Sequence, residues 1–257
     1  MPTAVQPDPP SADDAFYVGY DPPMPPPIAR VVRRAVWLAV AIGVSAVALV
    51  AGRHRAIAGG VFEFGNVQPV TGVVVERPYP ALRPRDGGPA VLLVATGKHG
   101  AAPLVRGLTD RAVSVRGQRI SRDGNEMLEI SSIGQNASPG DAPGGAPGAG
   151  VVLAVTLRGE IVDSKCFLGV MVPGQGKTHR ACASLCLRGG IPPALFVEDR
   201  AGDSRLVLLV SPAGEAMDPA IVADRAFEAT EMAGSLSRAD GWWVLRTDPA
   251  TWRRLAN

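Results

Sequence analysis

Residues 158–193 read RGEIVDSKCFLGVMVPGQGKTHRACASLCLRGGIPP, and they open on a short β-type run, GEIVD at residues 159–163. A matching run, GVVVE, stands at residues 72–76. Both are rich in β-branched side chains, which fit a pleated surface. The match continues downstream. ISRDG at residues 120–124 is answered by LSRADG at residues 236–241, and MLEI at residues 127–130 by WWVLR at residues 242–246. Asp-Gly before such a run is hairpin-turn chemistry. Similar runs in the same order predict two divergent copies of one small β unit. Further strands are expected at residues 90–95 (AVLLVA), 112–116 (AVSVR), 194–198 (ALFVE) and 206–210 (LVLLV), set apart by Gly, Pro and Asp. The fold class is therefore mainly β, with two tandem small OB-like barrels whose first connection is long. A small open β-sandwich is the alternative.

The copies differ between their first two expected strands. In the first copy 13 residues separate these runs, and in the second 30 do. The longer connection carries all three cysteines of the chain and one of its three histidines. Loops elaborated on a rigid scaffold are where function concentrates. Cys166, His179, Cys182 and Cys186 form a C-x12-H-x2-C-x3-C pattern. Residues 178–188 suit a short helix, with Thr178 as N-cap, Gly189 and Gly190 as the stop, and Pro192 and Pro193 beyond it. On that helix His179, Cys182 and Cys186 span about 60° and share a face. The loop with Pro173, Gly174 and Gly176 lets Cys166 fold back toward them. Three thiolates and an imidazole suit tetrahedral zinc, and an iron–sulfur cluster fits the same ligands less well. A disulfide between two of the cysteines and inert packing of small side chains remain open. GQGKT at residues 174–178 is not a phosphate loop, because Met171 occupies the position of the first glycine; no nucleotide site is expected.

The remaining chain reads as anchor and scaffold. Residues 1–30 are proline-rich, with PPMPPP, and predict a disordered or extended tail; Phe16, Tyr17 and Tyr20 read as chance aromatics within it, a docking point being the alternative. Residues 31–52 predict a single transmembrane anchor. Their uncharged run, residues 35–52, spans about 27 Å as a helix, and Trp37 sits at one end. A cleaved signal peptide is the competitor, with Ala46-Val47-Ala48 as its small-residue site. Arg30, Arg33 and Arg34 precede the span, and Arg53 and Arg55 follow it. This excess puts the N-terminus inside and residues 53–257 outside the cytoplasm, in the periplasm beyond an inner membrane. Residues 53–133 are the first β domain, 134–150 (GQNASPGDAPGGAPGAG) a linker, and 151–257 the second domain with its Cys/His insertion. A net charge of +2 and one clear aromatic pair, Trp242-Trp243, give no support to nucleic-acid binding. No nucleophile–base constellation supports hydrolysis, so no catalytic residue is assigned. His99, in GKHG, reads as a loop residue.

VDSKCFLGVM, PGQGKTHRACASLC and GGIPP, together with FYVGYDPPMPP and the basic span after it, resemble segments of a group of uncharacterised bacterial membrane-anchored proteins. The resemblance covers much of the chain and implies an architecture rather than a reaction. Two functions are expected. One is a non-catalytic, metal-holding accessory, assembly or electron-transfer subunit of a bacterial membrane redox complex, with protein partners there. The other is a thiol–disulfide protein using two of the three cysteines, activated by Lys165, Lys177 or Arg180. Its C-x3-C spacing departs from the usual C-x2-C redox pair.

Overall fold

The computed structural model describes residues 24–55, 59–85, 87–134, 151–198 and 204–255. The expected tail before residue 24 and the expected linker beyond Gly134 lie outside the described residues. The chain divides into two compact units, residues 1–57 and residues 58–257.

The first unit carries helix α1, Pro26–Arg55. Pro26 and Pro27 stand in its opening turn, where a missing N–H leaves no bond unmade. The helix thus takes in residues 26–30, which composition assigns to the tail. Within Pro26–Gly52 an 18-residue window has a mean hydropathy of 2.3 and none of that window is buried, so the helix is long and apolar enough to cross a membrane; a signal sequence passes the same test.

The second unit is two closed five-stranded barrels in tandem. The first comprises β2 (Gln68–Val75), β3 (Ala81–Pro84), β4 (Val91–Ala95), β5 (Ala112–Arg122) and β6 (Asn125–Gly134), preceded by the two-residue β1 (Val61–Phe62) on β5. Its ring runs β2–β3–β4–β6–β5 and back to β2, with β4 and β6 parallel and the other neighbours antiparallel. Helix α2 (Ala102–Val105) lies between its third and fourth strands. The second barrel repeats this with β7 (Leu153–Asp163), β8 (Pro193–Glu198), β9 (Ser204–Val210), β10 (Ala229–Ala239) and β11 (Trp242–Thr247). Helix α4 (Pro219–Asp224) again sits between the third and fourth strands, and the short β12 (Arg253–Arg254) lies on β10. This shared topology is that of a small OB-like unit. The duplication extends to the backbone angles of the fourth-to-fifth strand turn. Asp123 and Gly124 have φ of 51° and 75°, and Asp240 and Gly241 have 52° and 87°. Both pairs occupy the left-handed region that a two-residue hairpin turn requires.

Besides the two-residue β1 and β12, two barrel strands are not legible in the sequence. β3 was expected to be residues 90–95, which form β4 instead; the short ALRP run lies among prolines and reads as loop. The true first connection of barrel one is therefore residues 76–80, against residues 164–192 in barrel two, so the insertion is larger than the sequence suggests. β10, ATEMAGSLSRA, lacks an apolar run because Gly234 interrupts it. A Cβ on Gly234 would stand 2.2 Å from the Arg246 carbonyl oxygen, and the equivalent Gly117 would meet that of Glu129 at 2.5 Å. Gly72 and Gly159 mark the same close approach on the first strands. Strand glycines of this kind let a small barrel close.

The barrels pack face to face. Val91 and Leu93 point into the first barrel's own core, while Leu92 and Val94 join the second barrel's core. β4 is thus buried on both faces, which is why AVLLVA shows no polar alternation. Tyr79 donates its hydroxyl to the Leu209 carbonyl (2.6 Å), and the Trp242 indole donates to that of Ala90 (2.7 Å). Arg83 grips Asp240 with two bonds of 2.8 and 3.0 Å. The two barrels remain separate sheets.

Candidate metal centre

The site hangs from the neck between β7 and β8. Asp163 is the last residue of β7 and pairs with Pro193. Ser164 then closes the neck, its hydroxyl and N–H both reaching the Pro192 carbonyl (2.7 and 3.2 Å). One wide turn, Cys166–Val170, follows. The returning loop lies so tightly on it that a Cβ on Gly174 would be 2.5 Å from the Cys166 carbonyl oxygen. This is the fold-back that the glycines and proline predict. A 3-10 turn, Lys177–His179, leads into α3 (Arg180–Arg188). Thr178 does not cap this helix, because it sits inside the 3-10 turn. Gly190, with φ of 86°, ends it as expected.

The four residues singled out by spacing converge. Cys166, His179 and Cys182 offer ligand atoms within 4.8 Å of one another, and so do Asp163, Cys166 and Cys186. Cys166 belongs to both sets. Cys166, Cys186 and His179 are buried and Cys182 is half-buried. All three cysteines are free thiols. Together these groups could hold a metal ion.

The local electrostatics are uneven. The Cys166 thiol donates toward Cys186; that bond, then burial and the nearby Asp163 carboxylate, raise its pKa far above the usual thiol range. The same bond lowers the pKa of Cys186, which therefore gives up its proton first. Lys98, from the loop after β4 of the other barrel, places its ammonium 2.7 Å from the Cys182 sulfur. This contact raises the lysine pKa and keeps it charged. The His179 ring is held edge-on against Phe227, at 5.7 Å between centroids.

The cation beside the thiols is Lys98, not Lys165 or Arg180. Lys165 is turned away to Glu129 and to the Ala95 and Gly97 carbonyls (3.0 and 2.6 Å), and Arg180 bonds Glu228. His99 is exposed and stands outside both ligand sets, while its neighbour Lys98 reaches the sulfur. Asp163 also went unnoticed, although DSKC places it three residues before Cys166. Its Oδ1 accepts the Cys166 N–H at 2.8 Å. Trp242 is buried in the interface between barrels and offers no exposed stacking surface.

Comparison of the chain with protein-family models, with curated proteins and with solved structures finds no match. What the site can do is therefore read from its own atoms. Sulfurs beside a carboxylate, an imidazole and an ammonium are not the surroundings of inertly packed cysteines. Of the five buried side-chain atoms without a hydrogen-bond partner among the described residues, two, His179 Nε2 and Asp163 Oδ2, face each other at this site. Such orphans are rare in folded proteins and need an explanation. A cation among them supplies one.

Proposed function

We propose that this protein is a single-pass, inner-membrane-anchored module whose periplasmic barrels hold one zinc ion through Cys166, His179, Cys182 and Cys186. It serves as a non-catalytic accessory or assembly subunit of a membrane redox complex. The observation that carries the reading is the convergence of these ligands in a buried insertion whose imidazole nitrogen finds no hydrogen-bond partner among the described residues. Charge balance supports a divalent ion. Three thiolates exceed it by one negative charge, and the Lys98 ammonium at Cys182 offsets that excess. A monovalent ion would leave the pocket more negative, at a desolvation cost.

Full-length protein purified in detergent is expected to contain about one zinc per chain, a structural site being stoichiometric. Metal analysis with thiol titration checks this. Iron with visible absorbance would turn the role toward electron transfer. Metal-free protein with reactive thiols would end the metal reading. A second reading then stands on the thiol–thiol contact of Cys166 and Cys186, which lowers the Cys186 pKa and raises that of Cys166. In that case mild oxidation should join these two sulfurs, and a mapped Cys166–Cys186 disulfide would support thiol–disulfide exchange.

The membrane topology has its own test. Alkaline phosphatase, active only outside the cytoplasm, is expected to be active when fused after Asn257. An inactive fusion at normal expression would place the barrels inside, against the arginine excess before α1.

A further inference from the structure

Asp163 is completely buried and His179 is 5% exposed. Asp163 Oδ2 and His179 Nε2 lie 3.6 Å apart, and each lacks a hydrogen-bond partner among the described residues. That distance is too long for a hydrogen bond. It is close to another separation: two ligands ~2.1 Å from one tetrahedral ion sit ~3.4 Å from each other. Both residues also share Cys166 as a neighbour, in two ligand sets that meet at its sulfur. The carboxylate is held for the task. Its Oδ1 is fixed by the Cys166 N–H at 2.8 Å, which leaves Oδ2 free. Its backbone is the end of β7, paired with Pro193, so the barrel wall rather than the loop sets its place.

We infer that Asp163 is a direct ligand of the ion, binding through Oδ2 beside His179 Nε2. The inference rests on the reading that this cluster holds a divalent cation, and it enlarges the ligand set that the sequence spacing suggests. Asp163, Cys166, His179, Cys182 and Cys186 then offer five donors for a tetrahedral shell of four, so one of them stands in reserve. Cys182 is the least enclosed of them and is already engaged by Lys98, so it is the ligand most readily displaced. The usual closed structural zinc shells are built from Cys and His, whereas a carboxylate beside imidazole is found in shells that keep an exchangeable position. Asp163 therefore moves the centre from a purely structural staple toward an ion that can take up an outside ligand.

X-ray absorption at the zinc edge, on the detergent-solubilised full chain, reads the shell directly. Two light ligands, oxygen and nitrogen, are expected alongside the sulfurs. One light ligand with three sulfurs would overturn the inference while leaving the zinc reading intact. A chain that takes up no metal would overturn both. Cobalt substitution gives a second readout. Asp163→Asn, which keeps the side-chain shape, should weaken cobalt binding by more than ~10-fold, since even outer-shell carboxylates contribute that much. It should also shift the visible bands, because a ligand has changed. Unchanged bands in Asp163→Asn, at cobalt concentrations that saturate it, would make Asp163 a neighbour rather than a ligand and would sink the inference.

Discussion

If the cluster holds zinc as proposed, Cys166→Ser is expected to lose the ion altogether, and with it whatever stability the bound ion adds to the fold. Cys166 is the one residue common to both ligand sets, and it begins the turn that the Gly174 loop folds over. Serine keeps the backbone N–H that bonds Asp163 but offers a hard, protonated oxygen in place of a soft thiolate. A ligand present at a thousand times its dissociation constant stabilises the folded state by ~4 kcal/mol, so the variant should fall short of the zinc-loaded protein by about that much. Thermal melts of both proteins, with excess zinc and with a chelator, make the measurement. Zinc should raise the melting temperature of the original chain and leave that of Cys166→Ser unmoved. An equal rise in both would sink the assignment of Cys166 as a ligand. A fall in the variant that is the same with and without zinc would reduce Cys166 to a packing residue.

Lys165→Ala should be the most damaging change away from the ligands. Lys165 is 2% exposed and pairs with Glu129, itself only 8% exposed, on β6 of the other barrel. The same ammonium ties down the Ala95 and Gly97 carbonyls, which frame the loop that carries Lys98. Removing the lysine leaves a buried carboxylate and two carbonyls unpaired, and breaking one partner of a buried ion pair costs ~3–5 kcal/mol. The discriminating comparison is Lys165→Met with Glu129→Leu. Replacing both charges with apolar groups of similar size is often nearly neutral, so the double change should recover most of the lost stability. Denaturant midpoints of the single, double and original chains form the cycle. A single variant within 1 kcal/mol of the original, the range of an exposed pair, would mean that solvent reaches the pair.

Some of these features were visible before any fold was drawn. Turn chemistry is local: Asp123-Gly124 and Asp240-Gly241 announce left-handed turns whatever surrounds them, and the repeat follows from their matched positions. The helix carrying Cys182 and Cys186, with His179 at its N-cap, is local too, because periodicity and the Gly189-Gly190 stop define it. β3 and β10 were illegible for an equally local reason. A short strand among prolines looks like loop, and a strand that needs Gly234 for close approach lacks an apolar run.

The sequence by itself determined that the chain is mainly β and duplicated, that an apolar helix precedes the barrels, and that one barrel carries a Cys/His insertion. Each of these depends on residues near one another along the chain. Only the tertiary structure decided what completes the site. Lys98 meets Cys182 across 84 positions of sequence, and Lys165 finds Glu129 because two barrels happen to bury that face. Asp163 is close to Cys166 in sequence, but its meaning is not. An aspartate at a strand end is ordinary until the fold removes water from it and sets His179 opposite. Charge, burial and distance together give such a residue its chemistry, and burial and distance exist only once the chain has closed on itself.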